Sequence, residues 1–121
     1  MKEILVVDDS AVIRKIARRI LDGMRFRTEE ANDGREALDA CARSMPDGIL
    51  LDWNMPVMDG FEFLRALRKL PGGAKPKVVF CTTENDVSQI ARAMHAGADE
   101  YIMKPFDRQI VLSKFEEIGL V

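Results

Sequence analysis

The chain has 121 residues, of which 47% are hydrophobic and 31% are charged, so one domain over residues 1–121 is expected and a disordered chain is excluded. The formal net charge of −2 argues against a general nucleic-acid binder, and two cysteines, Cys41 and Cys81, are too few for a disulfide framework or a zinc cluster. No apolar run approaches the length of about twenty residues that a membrane span needs, and the N-terminus does not resemble a signal peptide, so a cytoplasmic protein is expected.

Short apolar runs alternate along the chain with longer segments of helical periodicity. In chain order, the predicted strands are residues 4–7, 26–30, 48–51, 78–81 and 99–103. The second of these is the most polar, which favours a position near an edge of the sheet. The others are compact apolar runs, typical of buried parallel strands.

Each predicted strand is followed by a predicted helix. The first helix begins after Ser10 and stops at Gly23, and the turn at residues 32–34 opens the second. Asp59, with Glu62 three residues later, is a capping-box pattern that predicts the start of the third helix. The apolar positions of the first helix are Val12, Ile13, Ile16, Ala17, Ile20 and Leu21.

The last two helices have similar boundary signals. Thr83 with Asp86 predicts the start of the fourth helix, Gly97 is its expected C-terminal cap, and the fifth helix follows Pro105. Their predicted apolar positions are Val87, Ile90, Ala91 and Met94 in the fourth helix and Ile110, Val111, Phe115 and Ile118 in the fifth.

Strict alternation of strands and helices predicts an α/β fold with helices on both faces of a parallel sheet. Right-handed crossovers then give a doubly wound, flavodoxin-like (βα)5 domain with strand order 2-1-3-4-5. In such a sheet, ligands bind beyond the carboxyl ends of the strands. The polar residues at those ends are Asp8 and Asp9 after the first strand, Asp52 and Asn54 at the third, Thr82 at the fourth and Lys104 at the fifth.

Three carboxylates that converge on one edge of a sheet repel one another, and a hard divalent cation such as Mg²⁺ relieves that repulsion. Lys104 adds a positive charge from another direction, and Thr82 adds a hydroxyl. A metal, a lysine and a hydroxyl around a carboxylate suit an anionic phosphoryl group. Asp52, on the predicted central strand, is the best candidate for a nucleophile that forms an aspartyl phosphate.

These residues resemble those of a response-regulator receiver domain of the single-domain CheY-like type. The resemblance covers essentially all 121 residues. One pair of aspartates is a weak signal, whereas several motifs in the right order at the right strand ends are a specific one. The matching motifs are residues 6–10 (VVDDS), residues 51–60 (LDWNMPVMDG), Thr82 before Thr83 and Glu84, residues 97–99 (GAD), Tyr101 and residues 104–106 (KPF).

The resemblance implies a role for each site residue. Asp52 would accept a phosphoryl group from a histidine kinase or a histidine phosphotransfer protein. Asp9 would bind Mg²⁺ directly, Asp8 would help mainly through water, and the backbone carbonyl of Asn54 would complete the protein ligands together with Asp52. Lys104 would pair with the phosphoryl oxygens.

The resemblance also implies a switch and a limited phosphoryl lifetime. Thr82 would move towards the phosphoryl group, and Tyr101 would rotate inward to fill the space. The surface of the fourth helix, fifth strand and fifth helix would then change its shape and bind a target protein. Asn54 and Glu84 occupy positions that influence the lifetime of the phosphoryl group in this family.

Partner contacts are less determined by the sequence. The first helix is basic, through Arg14, Lys15, Arg18 and Arg19. It is either a dock for the phosphodonor or simply a solvated face. A monomer without DNA or membrane binding is expected, and its output would be a binding event because no output domain is expected.

Several functions remain open at this point. A chemotaxis-type effector is favoured over a phosphorelay shuttle or phosphate sink because Asn54, Glu84 and Tyr101 fit the chemotaxis pattern. An aspartyl-phosphate phosphohydrolase would want an acid where Asn54 stands, as well as a substrate cap, so no enzyme activity beyond self-phosphorylation and self-dephosphorylation is expected. A flavin carrier would need a phosphate loop free of acids, and a degenerate scaffold would lack some of the site residues.

Overall fold

The computed structural model describes residues 1–83 and 87–121, and within them five strands alternate with five helices. The sheet is parallel throughout, in the order β2-β1-β3-β4-β5, which confirms the predicted fold. No helix in the described part of the chain is long and apolar enough to cross a bilayer. The strands are β1 (Glu3–Val7), β2 (Arg27–Ala31), β3 (Gly48–Asp52), β4 (Lys77–Thr82) and β5 (Glu100–Met103), and the helices are α1 (Ala11–Gly23), α2 (Gly34–Arg43), α3 (Gly60–Lys69), α4 (Val87–His95) and α5 (Arg108–Glu117).

The burial of each strand follows from its place in the sheet. The central strand β3 is buried at every residue, since helices cover both of its faces. The predicted edge strand β2 does lie at the edge, and Ala31 is its one buried residue. Alternate residues of a strand face opposite sides of the sheet, so each buried strand contributes to two cores.

The two cores lie on opposite faces of the sheet. Leu5 and Val7 of β1 point into a core with side chains of α2, α3 and α4. Ile4 and Val6 point the other way, into a core with side chains of α1 and α5. The helical members of the first core are Ala37, Cys41, Phe63, Leu64, Leu67 and Ala93, and those of the second are Ala17, Leu21, Val111 and Phe115.

The helices begin at residues whose side chains cap them, in the places that the sequence predicts. Ser10 caps α1, and Asp59 forms the predicted capping box with Glu62 at the start of α3. Gly97 follows α4 with a φ of 116°, a left-handed conformation that favours glycine. The predicted start of α4 includes Asp86, which lies outside the described residues.

The predicted apolar stripes of three helices are only partly buried. In α5, Ile110 is 39% exposed. In α1, Val12 and Ile16 are 67% and 44% exposed. In α4, Val87 and Met94 are 78% and 38% exposed, and the side chain that α4 buries is Ala93. The sequence therefore predicted these apolar positions but not how far each is buried, because periodicity alone does not determine which face of a helix is covered.

Arg68, near the end of α3, connects the segments at the amino-terminal edge of the sheet. Its guanidinium donates hydrogen bonds to the backbone carbonyls of Gly73, Pro76 and Gly97, at distances from 2.6 to 3.2 Å. It also pairs with Asp99, whose carboxylate accepts a hydrogen bond from the backbone of Val78. One side chain thus ties the segment after α3 to the starts of β4 and β5.

We expect Arg68→Ala to lower the free energy of unfolding by about 2–4 kcal/mol, since several partly buried acceptors lose a charged donor. Arg68→Lys should recover only part of this loss, because one ammonium cannot reproduce the fork of a guanidinium. Urea unfolding followed by circular dichroism measures both. The matched control is the exposed Arg19→Ala, which should change stability by less than about 0.5 kcal/mol. Equal stability of Arg68→Ala and Arg19→Ala would contradict the role given to Arg68.

Candidate functional site

The predicted site residues meet at the carboxyl edge of the sheet. Asp8 follows β1, Asp52 ends β3, Thr82 ends β4 and Lys104 follows β5. Parallel pairing in register brings these ends together. The backbone N–H of Lys104 donates to the carbonyl of Thr82 at 2.8 Å, which fixes the end of β5 against the end of β4, and the Lys104–Pro105 peptide bond is cis.

Three carboxylates form a cluster at this edge. One oxygen each from Asp8, Asp9 and Asp52 lie within 4.8 Å of one another. Asp8 and Asp52 are 3% and 7% exposed, whereas Asp9 is exposed to solvent. A set of hard oxygen donors, buried at its base and open on one side, fits a hydrated divalent cation such as Mg²⁺.

Lys104 holds two of these carboxylates in place. Its Nζ lies 2.8 Å from Oδ2 of Asp8 and 3.0 Å from Oδ1 of Asp52. The other oxygen of Asp8 accepts a hydrogen bond from the backbone N–H of Ser10 at 2.9 Å. Both oxygens of Asp8 are therefore oriented, and the lysine charge lies directly beside the candidate nucleophile.

Burial and the opposite charge nearby oppose each other at both Asp52 and Lys104, and the pKa of each group is raised. Burial raises the pKa of Asp52, and the charges of Asp8 and Asp9 raise it further, against the opposing effect of Lys104. Burial by itself would lower the pKa of Lys104, but its hydrogen bonds to Asp8 and Asp52 outweigh burial and leave that pKa raised. Lys104 therefore stays protonated as an ammonium. Further positive charge nearby would stabilise the ionised carboxylate of Asp52.

Thr82 and Tyr101 line one small cavity. Thr82 is buried and Tyr101 is half-buried, and both line this cavity together with Phe80 and Ala93. The Nζ of Lys114 lies 5.7 Å from the centre of the Tyr101 ring. The two side chains that were predicted to form the switch thus border the same small cavity.

A glycine that the sequence analysis did not single out holds the strand end in position. The N–H of Gly60 donates to the carbonyl of Trp53 at 2.9 Å, which closes the loop after β3. A Cβ at position 60 would lie 2.2 Å from the carbonyl oxygen of Asp52, so any larger residue would displace the candidate nucleophile. The spacing of Asp52 and Gly60 was part of the quoted motif, but only the folded structure shows this close approach.

Two predicted tuning residues receive less support from the geometry. Asn54 lies two residues after Asp52, in the loop that Gly60 closes, and it is exposed. The role of its backbone carbonyl as a metal ligand stays a prediction. Glu84 lies outside the described residues.

The basic side chains of α1 divide into two pairs. Arg14 donates to Glu30 at 2.7 Å and to the backbone carbonyl of Asp8 at 2.7 Å, and Arg18 also pairs with Glu30. These hydrogen bonds lower the pKa of Glu30. The second pair, Lys15 and Arg19, is exposed and lies on the same helix as the exposed Val12 and Ile16.

Comparison with known proteins agrees with this geometry. The model of the response regulator receiver domain family matches residues 4–116. The chemotaxis protein CheY4 of Vibrio cholerae has a TM-score of 0.92 and 34% identity, with 98% of each chain covered. The receiver domain of the sensor histidine kinase PA1611 from Pseudomonas aeruginosa PAO1, which has a magnesium ion coordinated in its active site cleft, has a TM-score of 0.87 and 28% identity, again with 98% of each chain covered.

A curated relative is longer than this chain. Response regulator MprA from Mycolicibacterium vanbaalenii is 39% identical over 115 residues, which are 95% of this chain and 49% of the relative. The chain thus spans about half the length of the curated relatives that it matches. The family match and the similarity cover nearly the whole sequence, and the chain therefore belongs to the response-regulator receiver domains of two-component signalling.

Proposed function

We propose that this receiver domain takes a phosphoryl group onto Asp52 from a phosphohistidine of a kinase or phosphotransfer protein. The observation that carries the proposal is the position of Lys104, which bridges Asp52 and Asp8 within a cluster of three carboxylates. A carboxylate oxygen of Asp52 attacks the phosphorus, the bond from phosphorus to the imidazole nitrogen of the donor breaks, and the imidazole leaves. We expect the chain to catalyse this transfer and the later hydrolysis of its own phosphoryl group, and no other reaction.

The protein side chains divide the work of binding the phosphoryl group. Asp8, Asp9, Asp52 and the carbonyl of Asn54 are the proposed ligands of Mg²⁺, which supplies positive charge against the phosphoryl oxygens when it is bound. Lys104 exchanges its hydrogen bond to Asp52 for one to a phosphoryl oxygen. The Thr82 hydroxyl donates a second hydrogen bond to the phosphoryl group. Burial of Asp52 strengthens each of these interactions, because little water competes for them.

The response is a change in the surface of α4, β5 and α5. The cavity that both Thr82 and Tyr101 line supports this part of the proposal, since movement of Thr82 towards the phosphoryl group would enlarge the space that the Tyr101 ring can enter. The exposed apolar side chains Val87 and Met94 on α4 and Ile110 on α5 are suited to contact a target protein. Phosphorylation then shifts the population of two arrangements of one surface.

The exposed face of α1 is the proposed dock for the phosphodonor. It lies beside the cluster because Ser10, the cap of α1, binds Asp8. Val12 and Ile16 supply apolar contact, and Lys15 and Arg19 supply charge. Arg14 and Arg18 orient this face through Glu30 instead of meeting the partner as free cations.

A chemotaxis-type target is the favoured output of the switch. The similarity to a chemotaxis protein, at 34% identity and a TM-score of 0.92, supports this choice. A phosphorelay shuttle or phosphate sink is the alternative within the same chemistry, and such a protein would pass on or hydrolyse the phosphoryl group without binding a target. We propose that the chain acts as a monomer that contacts neither DNA nor a membrane.

Magnesium should stabilise the domain, by about 1.4 kcal/mol at a free concentration ten times its dissociation constant. The expected measurement is thermal unfolding during a Mg²⁺ titration, with Trp53 fluorescence as a second readout beside Asp52. Asp9→Asn should weaken both responses, because one carboxylate of the cluster is lost. Asp39→Asn, which removes an exposed acid of α2, is the control and should respond as the unmodified chain does. A response of Asp9→Asn equal to that of the control would remove Asp9 from the metal site.

Phosphorylation should place one phosphoryl group on the chain, at Asp52. Intact-mass analysis after incubation with an acyl phosphate and Mg²⁺ measures it, and Asp52→Ala should show no gain in mass. Beryllofluoride, a phosphoryl mimic, should change Trp53 fluorescence in the unmodified chain only when Mg²⁺ is present. A phosphoryl gain that persists in Asp52→Ala would place the acceptor elsewhere.

A mutation should be able to abolish the switch without abolishing binding of a phosphoryl mimic. In Thr82→Ala, beryllofluoride should still bind, since Asp52 and Lys104 remain, but amide shifts in α4, β5 and α5 should shrink relative to the unmodified chain. Two-dimensional NMR of the beryllofluoride form measures both effects. Thr28→Ala, on the edge strand β2, is the matched control. Full shifts in Thr82→Ala would rule out Thr82 as the link.

A further inference from the structure

A basic groove runs between α3 and α4, away from the phosphorylation site. Its open volume is about 820 Å³, within the range of sites that bind small molecules or short segments of chain. Phe61, Ala91 and Ala96 supply its apolar surface, and Arg65, Lys69 and Arg92 supply its charge. None of the roles proposed above uses these residues.

The positive charge of this groove is not compensated within the described residues. Arg65, Lys69 and Arg92 are exposed, and no salt bridge to another described residue neutralises any of the three. Arg68, which also lines the groove, pairs instead with Asp99 and with backbone carbonyls. The chain as a whole is slightly acidic, at a formal charge of −2, so this concentration of cations is local.

Contacts with Phe61 orient the two guanidinium groups. The guanidinium carbon of Arg92 lies 4.6 Å from the centre of the Phe61 ring, and that of Arg65 lies 5.9 Å from it. A guanidinium over a ring keeps the N–H groups at its edge for bidentate contact with a carboxylate. Because the aromatic ring already restricts both side chains, binding of a carboxylate costs them less conformational entropy.

We propose that the groove between α3 and α4 binds an acidic peptide segment of a partner protein. Carboxylates match the charge of the groove, and apolar side chains between them match Phe61, Ala91 and Ala96. Single-stranded nucleic acid fits less well, since it needs open aromatic faces for its bases, whereas Trp53, Arg65 and Arg92 already contact the Phe61 ring. The proposal does not depend on phosphorylation of Asp52.

Trp53 offers a direct readout of occupancy. Its ring stacks on Phe61 with 5.8 Å between centroids, so a peptide in the groove should change its fluorescence. The probe is a short synthetic peptide that alternates Glu with Leu. We expect saturable binding that weakens at high salt, with amide shift changes at residues 61–69 and 91–96.

The double variant Arg65→Ala/Arg92→Ala should raise the dissociation constant of this peptide at least about tenfold, because both oriented guanidinium groups are lost. The matched control is Arg35→Ala/Arg43→Ala, which removes two exposed cations from α2 and should bind as the unmodified chain does. Circular dichroism verifies that each variant is folded, and Arg92→Gln replaces the double variant if that variant does not fold.

A charge reversal makes the test sharper. Arg65→Glu/Arg92→Glu should lose the Glu–Leu peptide and bind a Lys–Leu peptide of the same length in its place. Three results would overturn the proposal: absence of saturable binding by the unmodified chain, equal losses in the groove and α2 variants, and displacement of the peptide by oligothymidine that binds more tightly at the same residues.

Discussion

The repulsion among three carboxylates is the constraint on which the rest of the structure depends. Asp8, Asp9 and Asp52 have oxygens within 4.8 Å of one another, and two of the residues are buried. Lys104 offsets one charge, so three carboxylates and one ammonium leave two negative charges in excess. A divalent cation balances that excess. A phosphoryl group on Asp52 adds more negative charge, so the proposed phosphorylation needs the cation and the lysine together.

The two ends of the strands that carry this cluster are held by different interactions. At the amino-terminal edge, Arg68 and Asp99 fix the starts of β4 and β5 through hydrogen bonds to backbone groups. At the carboxyl edge, the same two strands end in Thr82 and Lys104, beside a cavity. Hydrogen bonds fix the strands where they begin, and Thr82 and Tyr101 line a small cavity where they end. In the proposed switch, a small movement of Thr82 would reach Tyr101 through this cavity.

Sequence patterns predicted the elements that are determined by residues close together in the chain. Neighbouring residues determine the apolar runs of β1, β3 and β4, the polar edge strand β2 and the capping box of Asp59 with Glu62. The rule that ligands bind beyond the carboxyl ends of parallel strands then predicted that Asp52 and Lys104 lie close together. The hydrogen bonds of Arg68 join residues up to 31 positions apart, and the close approach of Gly60 to Asp52 depends on how a loop folds back. Periodicity also could not show that α1 and α4 leave apolar side chains exposed, because that depends on which face meets the sheet.

The aromatic side chains connect the cluster with the basic groove. Trp53 directly follows Asp52, stacks on Phe61 and contacts Phe80, and Phe61 in turn lies under Arg92 of α4. An acidic segment in the groove would hold Arg92 and thereby fix α4 relative to α3. Since α4 also forms part of the proposed target surface, the two proposed sites share one helix. Linkage then requires that any effect of phosphorylation on affinity in the groove be matched by an equal effect of the bound segment on the switch equilibrium.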